Sequence, residues 1–309
     1  MEFPTLRKRQ WIKMKKTLLA LAVVAAAGSV NAAELMNTGN VSVTTDADFE
    51  VKLVFAPGAD DPTINYDGAE IGFAAESVIS DDWTAFLKYG LEMPYGADNV
   101  VTTDIVAGFK FYQNHMIEFG ETSHVLDLGN NQSKDIGIDF DNSELPAVED
   151  IIVYGYTGET FGFGASYDLN RIEGGQDDNF AFYVDGTFGD VYLRGDAGFG
   201  SQGDVNEAVY GIKATYTADV FSVGGSYAAT SVDDAEDIYI IDAWVGFSAV
   251  LDWYLGTQYG AQGDADAYNV YLNGTYALND VVGLYGEIGT EGNDDDSDFG
   301  ASIGMTMSF

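Results

Sequence analysis

Several residue types are missing or scarce in this sequence, and each absence excludes a class of protein. There is no cysteine, which excludes disulfide frameworks, thiolate metal sites and cysteine nucleophiles. Lys and Arg number 13 against 50 Asp and Glu, so the chain lacks the basic surface that nucleic-acid binding requires. After residue 32, no stretch reaches the roughly 18 apolar residues of a membrane-spanning helix. A soluble β-protein or a membrane β-barrel remains.

The first residues carry an export signal. From Met14 the sequence reads MKKTLLALAVVAAAGSVNA, with two lysines, an apolar core and the small residues of a cleavage site at 30–32. This pattern is typical of a secretory signal peptide and is too short for a spanning helix. We expect an upstream extension at 1–13, the signal peptide at 14–32 and an exported barrel at 33–309. A barrel is then the form in which the exported chain would cross a membrane.

From Val41 onward, apolar and polar residues alternate with a period of two. In the segment VSVTTDADFEVKLVF, odd positions are mostly apolar and even positions mostly polar. Such alternation predicts strands with one apolar and one polar face. Sixteen segments are predicted as strands: 41–55, 69–75, 83–91, 101–111, 115–120, 151–156, 160–169, 179–188, 190–199, 207–217, 219–230, 237–248, 250–260, 267–277, 280–290 and 299–309.

The connections between these strands alternate between short and long. Short turns with longer loops at the opposite end are typical of outer-membrane barrels, whereas a soluble β-sandwich does not require them. None of the five prolines falls within a predicted strand, where it would remove a ladder hydrogen bond. The sequence therefore predicts an all-β, transmembrane, antiparallel barrel of sixteen strands. The long connections are predicted at 56–68, 93–100, 121–150, 170–178, 200–206, 231–236, 261–266 and 291–298.

The third long connection, 121–150, is the longest interruption of the strand pattern. Loops of this length in a compact fold are usually functional or disordered. We predict that it folds into the barrel lumen, where its acids narrow the pore and set its charge. The candidate constriction residues are Glu121, Asp127, Asp135, Asp139, Asp141 and Glu144.

Basic residues on the polar face are the second group of candidate pore residues. Two interpretations stay open: some of them, such as Lys88 and Arg194, face the loop acids, or each forms a salt bridge with a neighbouring lumen acid. Because rings of charged side chains select ions by sign, the acidic excess predicts a preference for cations. The predicted lumen bases are Lys52, Lys88, Lys110, Arg194 and Lys213.

Three segments carry a resemblance to a known family. The final strand alternates apolar and small residues and closes on Phe309, which resembles the assembly signal of Gram-negative outer-membrane proteins. Residues 276–285 resemble the penultimate hairpin of the general porins, and residues 161–167 resemble the strand after their constriction loop. The resemblance implies a homotrimer in the outer membrane, contact with lipid and lipopolysaccharide, recognition of Phe309 by the barrel-assembly machinery, and passive diffusion of ions and small polar solutes.

The sequence departs from the general porins at the third loop. Their Gly-Arg at its start is replaced by Gly120-Glu121, and their Pro-Glu-Phe-Gly-Gly tip is absent, with Asp139-Phe140-Asp141 as the nearest equivalent. The outer loops are also short for the family. These differences concern the constriction rather than the barrel.

Two other functions are weighed against a diffusion pore. An enzyme would need a poised base, but the only histidines are His115 and His124, and no motif places a carboxylate beside either, so we predict no catalytic residues. A channel specific for a sugar would favour aromatic residues along the lumen, and this alternative stays open. The polar-face aromatics are Tyr183, Tyr192, Trp244, Tyr254, Tyr271 and Tyr285.

Acid runs mark the outer loops at 60–61, 177–178, 233–237 and 294–298. They either form a plain solvated surface or hold divalent cations that bridge to lipopolysaccharide phosphates. No run has the spacing of a calcium-binding loop. We predict no metal site and no cofactor.

Overall fold

The protein is described by a computed structural model. It describes residues 33–59, 61–93, 100–128, 132–134, 148–169, 179–202, 205–233, 236–248, 251–293 and 297–309. The predicted extension and signal peptide, 1–32, lie outside the described residues. Within the described ranges, no helix is long and apolar enough to cross a membrane.

The described chain forms seventeen strands. Their lengths run from 5 residues for the first to 18 for the third. They are β1 (Ala33–Asn37), β2 (Val41–Phe55), β3 (Thr63–Ser80), β4 (Trp83–Met93), β5 (Val101–Phe111), β6 (His115–Thr122), β7 (Val148–Thr157), β8 (Phe161–Asp168), β9 (Phe180–Phe188), β10 (Val191–Gln202), β11 (Val205–Thr217), β12 (Phe221–Val232), β13 (Ile238–Ser248), β14 (Asp252–Gln262), β15 (Ala265–Ala277), β16 (Val282–Gly292) and β17 (Ser297–Ser308).

Strands β2 to β17 close into an antiparallel barrel of sixteen strands, which confirms the predicted fold. Each strand pairs with the next along the chain, and β17 returns to pair with β2. The extra strand, β1, was not predicted. It pairs with the first half of β2, whereas β17 pairs with the second half, so β1 continues the line of β17 along one edge of β2.

The two faces of the barrel differ as the alternation predicts. Large apolar side chains on the outer face are open to the surroundings, as shown by Leu255 at 50%, Ile212 at 59% and Val184 at 57% exposure. Inward positions are polar and buried, including Gln258 on β14 and Asn269 and Asn273 on β15. An apolar exterior around a polar interior is the arrangement that a bilayer outside and water inside stabilise.

Four lumen tyrosines pack over glycines of neighbouring strands. A Cβ atom at Gly256 would meet the Tyr271 hydroxyl at 2.2 Å, so only glycine leaves room for this ring. Packing a ring over a strand glycine covers backbone that would otherwise lack a side-chain neighbour. The same cross-strand arrangement joins Gly164 to Tyr183, Gly246 to Tyr254, Gly256 to Tyr271 and Gly304 to Tyr285.

Several predicted connections are wrong because the strands are longer than the apolar pattern. The predicted loops at 200–206 and 261–266 fall largely within strands, since β10 runs to Gln202 and β14 runs to Gln262. Beyond the apolar belt both faces of a strand contact water, so the hydropathy pattern fades while the backbone ladder continues. For the same reason β3 begins at Thr63, inside the predicted loop 56–68.

Candidate functional site

The connection between β6 and β7 turns into the lumen, as predicted, although it begins later. Because β6 extends to Thr122 and β7 begins at Val148, the loop covers 123–147 rather than 121–150. Its side chains Val125, Leu126 and Leu128 pack against apolar residues on the inner wall. We call these wall residues the apolar lumen patch: Ile151, Val153, Ala181, Val209 and Ala228.

The apolar lumen patch is a functional feature that the sequence analysis missed. Residues at these inward positions were expected to be polar. The signal was present in β7, where Ile151, Ile152 and Val153 are consecutive and therefore apolar on both faces of the strand. Strands buried on both faces show such continuous apolar runs. In this barrel the run marks the wall that the loop covers.

A charged network fixes the first part of the loop to β10 and β11. Asp127 forms a salt bridge with Lys213 and lies 4.0 Å from Nη1 of Arg194. Nη2 of Arg194 donates to the backbone oxygen of Val125 at 2.7 Å and to Asp196 at 2.7 Å. The backbone N–H of Asp127 donates to Asp196 at 3.2 Å. Two predicted lumen bases therefore hold the loop.

A second anchor lies on β15 and β16. In the segment 132–134, the Ser133 hydroxyl and the backbone N–H of Lys134 donate hydrogen bonds to Glu287 at 3.0 and 2.8 Å. The backbone N–H of Gln132 donates to the Tyr271 hydroxyl at 3.0 Å, and the backbone carbonyl of Gln132 accepts a hydrogen bond from the Asn273 side chain. Asn273 also donates to Glu287 at 3.0 Å. The described parts of the loop thus contact strands as far apart as β7 and β16.

The predicted constriction acids do not share one environment. Asp127 is an anchor to the wall. Glu121 belongs to β6 and is the cross-strand partner of Ile105, so its register position is on the outward-facing side of the strand. The preceding Gly120 has φ of +143°, and a register shift between Gly120 and Thr122 follows it. The remaining predicted acids, Asp135, Asp139, Asp141 and Glu144, lie outside the described residues.

The other predicted lumen bases form salt bridges with acids of the barrel wall. Lys52 lies 3.4 Å from Glu50, and Lys88 lies 3.4 Å from Glu118. Lys110 pairs with Glu76 on β3. The interpretation of local salt bridges therefore describes these three lysines, whereas Arg194 and Lys213 contact an acid of the loop.

Acids line the wall that the described part of the loop leaves uncovered. Asp48, Glu70 and Glu92 are direct cross-strand partners on β2, β3 and β4, so three carboxylates form a lateral row. They line a lumen cavity of about 280 Å³ together with Glu50. Like charges directly opposite each other destabilise a sheet, so the repulsion within this row has to be compensated by neighbouring groups or by cations.

His124 is buried where the loop leaves β6. Its Nδ1 lies 2.8 Å from the Ser166 hydroxyl, which also accepts a hydrogen bond from the backbone N–H of Val125 at 3.3 Å. Among the described residues, its Nε2 has no hydrogen-bond partner. Burial lowers the pKa of His124 below its usual value, and the nearby carboxylate of Asp168 opposes this shift. Ser166 is only 1% exposed, so this pair offers no surface to a substrate.

The polar-face aromatics are mostly part of the wall. Trp244, Tyr271 and Tyr285 are buried. Tyr183 lies under the Arg194 guanidinium, 4.0 Å from its ring centroid. Trp244 and Tyr254 contact each other edge to face at 5.6 Å, and Tyr192 donates a hydrogen bond to Asp185 at 3.2 Å.

The profile of the family described as Gram-negative porin matches residues 18–296, which is most of the chain. The chain belongs to the Gram-negative porin family. This porin is 28% identical over 280 residues to the outer membrane porin protein LC of Enterobacteria phage PA-2, covering 85% of the chain and 71% of that relative. It is 27% identical over 286 residues to the outer membrane porin OmpD of Salmonella typhimurium, covering 89% and 70%.

Solved structures share the barrel of this porin. A loop L8 deletion mutant of OmpT, an outer membrane protein of Vibrio cholerae, superposes with a TM-score of 0.78 at 19% identity, covering 87% of this chain and all of that one. OmpF of Salmonella typhi in complex with daunomycin has a TM-score of 0.72 at 15% identity, covering 90% and 100%. At these identities the likeness concerns the fold. Family membership and fold together place this porin in the outer membrane as a channel-forming barrel.

Proposed function

We propose that this porin is a water-filled channel for the passive diffusion of ions and small hydrophilic solutes, with a preference for cations. The observation that carries the proposal is the charge of the uncovered wall. Asp48, Glu70 and Glu92 form a continuous row there, whereas Lys52, Lys88 and Lys110 each pair with a wall acid. Low-dielectric walls focus the field of such a row and raise the local concentration of cations.

The loop acids belong to the same proposal. Asp135, Asp139, Asp141 and Glu144 would narrow the pore from the loop side, while Asp127 holds the loop in place. A constriction with acids on the loop and on the wall would favour cations at its narrowest point.

Single-channel current in a planar bilayer under a salt gradient tests these assignments. We expect a reversal potential that favours cations and that moves toward zero in the double variant Glu70→Gln/Glu92→Gln. Replacing Asp139 and Asp141 by Asn should shift it in the same direction. Asp280→Asn, at an exposed short turn, is the control for a change of net charge. An unchanged reversal potential in either double variant would remove that group of acids from the selectivity proposal.

A saccharide-specific channel is the second candidate, and the half-buried Tyr254 ring, which contacts the buried Trp244 edge to face, is the feature that would support it. Two other lumen aromatics, Tyr271 and Tyr285, are buried against glycines of the wall and therefore present little surface to a sugar. Saturable block of the current by an oligosaccharide would favour this candidate, and flux proportional to concentration would favour the open pore. Among the described residues, the His124–Ser166 pair is buried and offers no support for a catalytic role.

The assembly proposals concern the outer face and the chain ends. We propose a homotrimer, in line with a trimer form solved for OmpT of Vibrio cholerae, at 18% identity and a TM-score of 0.75. Phe309, which exchanges backbone hydrogen bonds with Ala47 at 2.9 and 3.2 Å, would be read by the barrel-assembly machinery, and the outer face would contact lipid and lipopolysaccharide. Mild cross-linking should give three subunits, N-terminal sequencing should begin at Ala33, and deleting Phe309 should reduce insertion.

A further inference from the structure

A second lumen cavity of about 200 Å³ lies beneath the loop segment 132–134, on its short-turn side. A space of this size accommodates several water molecules and therefore a small organic solute. Side chains of both charges line it, which distinguishes it from the acidic cavity beside β3. The lining side chains that carry the argument are Glu50, Lys134, Asp252, Thr275, Tyr285 and Thr306.

The wall of this cavity is defined by strand register as well as by its shape. Asp252, Thr275 and Tyr285 are successive cross-strand partners on β14, β15 and β16, so their side chains form one lateral row. The Tyr285 hydroxyl donates a hydrogen bond to Glu50 at 2.7 Å, which continues the row to β2. A carboxylate therefore stands at each end of the row, with two hydroxyl groups between them.

Lys134 supplies the opposite charge from the loop. Its backbone N–H is fixed to Glu287 at 2.8 Å, while its side chain is exposed and borders the cavity. Lys52, Lys88, Lys110 and Lys213 all form salt bridges. Within the described part of the chain, neither Lys134 nor Asp252 has a salt bridge. Both charges are thus available to a solute.

We propose that this cavity is a transient subsite for small zwitterionic solutes of the amino-acid class. The solute carboxylate would bind the Lys134 ammonium group, and the solute ammonium group would bind the Asp252 carboxylate, while Glu50 closes the far end of the row and is itself paired with Lys52. The proposal rests on the proposed diffusion channel and names one class of solute for it. Charge-assisted hydrogen bonds of this kind are stronger than neutral ones.

Electrostatic complementarity explains why a zwitterion fits better than other solutes. A simple cation is repelled by Lys134, and a simple anion is repelled by Asp252 and Glu50. A neutral polyol forms hydrogen bonds but gains nothing from either charge. Specificity of this type comes from repulsion of the wrong solute as much as from attraction of the right one. Each exposed ion pair raises the binding constant of the solute by about fivefold at most. Binding this weak lets the solute leave the site again, as conduction through a channel requires.

Entry of labelled solutes into proteoliposomes tests the proposal. L-alanine is the zwitterion, and glycerol is the neutral solute that reports an open channel. L-alaninamide lacks the carboxylate, and L-lactate lacks the ammonium group. In the unmodified porin we expect alanine entry to saturate and, at low concentration, to exceed glycerol entry severalfold.

The variants assign each charge to its partner. Lys134→Met should reduce the alanine-to-glycerol ratio severalfold without slowing alaninamide, and Asp252→Asn should reduce it without slowing lactate. Asp280→Asn makes the same Asp-to-Asn change at an exposed turn outside the cavity, and it should leave the alanine-to-glycerol ratio unchanged. A merely structural effect would slow all four solutes together and would overturn the proposal. So would an alanine-to-glycerol ratio that is the same in all variants. If glycerol itself fails to enter, the diffusion channel is wrong and the subsite fails with it.

Discussion

At the scale of single residues, Arg194 and Lys213 show how a lumen charge can position a loop instead of meeting a solute. Both side chains are nearly buried, with 12% and 10% exposure, and both lie next to Asp127. Removing one member of a largely buried charge cluster leaves its partners desolvated without compensation. Asp127 itself is 53% exposed, which weakens its share of the interaction through solvent screening.

A double-mutant cycle at Asp127 and Lys213 is the first prediction. Asp127→Asn should loosen the loop, because two cations then lose their carboxylate on that side, and Lys213→Met should act similarly. The loss of loop-docking free energy in the double variant should be smaller than the sum of the losses in the two single variants, by a coupling energy of about 1 kcal/mol. Protease cleavage within the loop and open-channel current noise measure the loosening. Strictly additive effects would contradict a direct interaction.

The second prediction concerns pH and His124. The docked histidine is held neutral by burial, with a pKa below its usual value, whereas an undocked loop binds a proton near the ordinary pKa of about 6.5. The undocked state therefore binds more protons, so docking is fully favoured above about pH 6.5 and weakens as the pH falls below it. We expect current noise to rise as the pH falls from 7 to 5. This interval lies above the pH range in which ordinary carboxylates titrate.

His124→Gln provides the test, because glutamine keeps a hydrogen-bonding group for Ser166 but does not titrate in this range. The pH dependence should disappear in this variant. His115→Gln is the matched control, since His115 is the only other histidine and contacts Phe111 and Tyr154 away from the loop. Noise that rises equally in His124→Gln would assign the effect to other groups.

At the scale of elements, the close approach of the loop to β11 depends on a residue without a side chain. A Cβ atom at Gly211 would lie 3.0 Å from Cδ2 of Leu128, so the loop rests directly on the strand backbone. On either side of this point, Val209 and Ala228 complete the apolar contact. The position of the loop is thus set by packing and by the charged anchors together.

Gly211→Val is the third prediction. The added methyl groups should displace Leu128 and shift the loop away from the wall, changing single-channel conductance while the barrel remains folded. An overpacked site of this kind typically costs about 1–3 kcal/mol. Gly195→Val on β10 is the control, because its Cβ would have only one neighbour, at 3.9 Å. Equal conductance in both variants would show that the loop does not rest on Gly211.

The elements also show what the sequence can and cannot predict. The bounds of β5 agree with the predicted 101–111 because a bilayer on one side and water on the other impose a strict alternation. The path of the loop depends on contacts between residues far apart in the chain, such as Ser133 with Glu287, and no local pattern encodes them. The apolar lumen patch was readable in β7, but its meaning depends on knowing which segment covers it.

At the scale of the whole molecule, exposed acids of the described residues lie at both ends of the barrel, such as Asp81 and Asp190 at short turns and Asp61 and Asp264 at the opposite end. The formal net charge is −37 at pH 7 for the full sequence. A field of this origin acts over long distances and is screened by salt, with a Debye length of about 10 Å at 0.1 M and about 3 Å at 1 M. Selectivity that comes from the overall charge must therefore depend on ionic strength.

The last prediction follows from this screening. The cation preference measured from reversal potentials should fall markedly between 0.1 M and 1 M salt, approaching the mobility ratio of the free ions. The variant Glu70→Gln/Glu92→Gln should lose part of the preference at low salt and little at high salt, because screening has already removed the contribution of these wall acids. A preference that stays constant across this range would mean that cations are selected at contact distance within the constriction. The loop acids, rather than the general field of the barrel, would then be the source of selectivity.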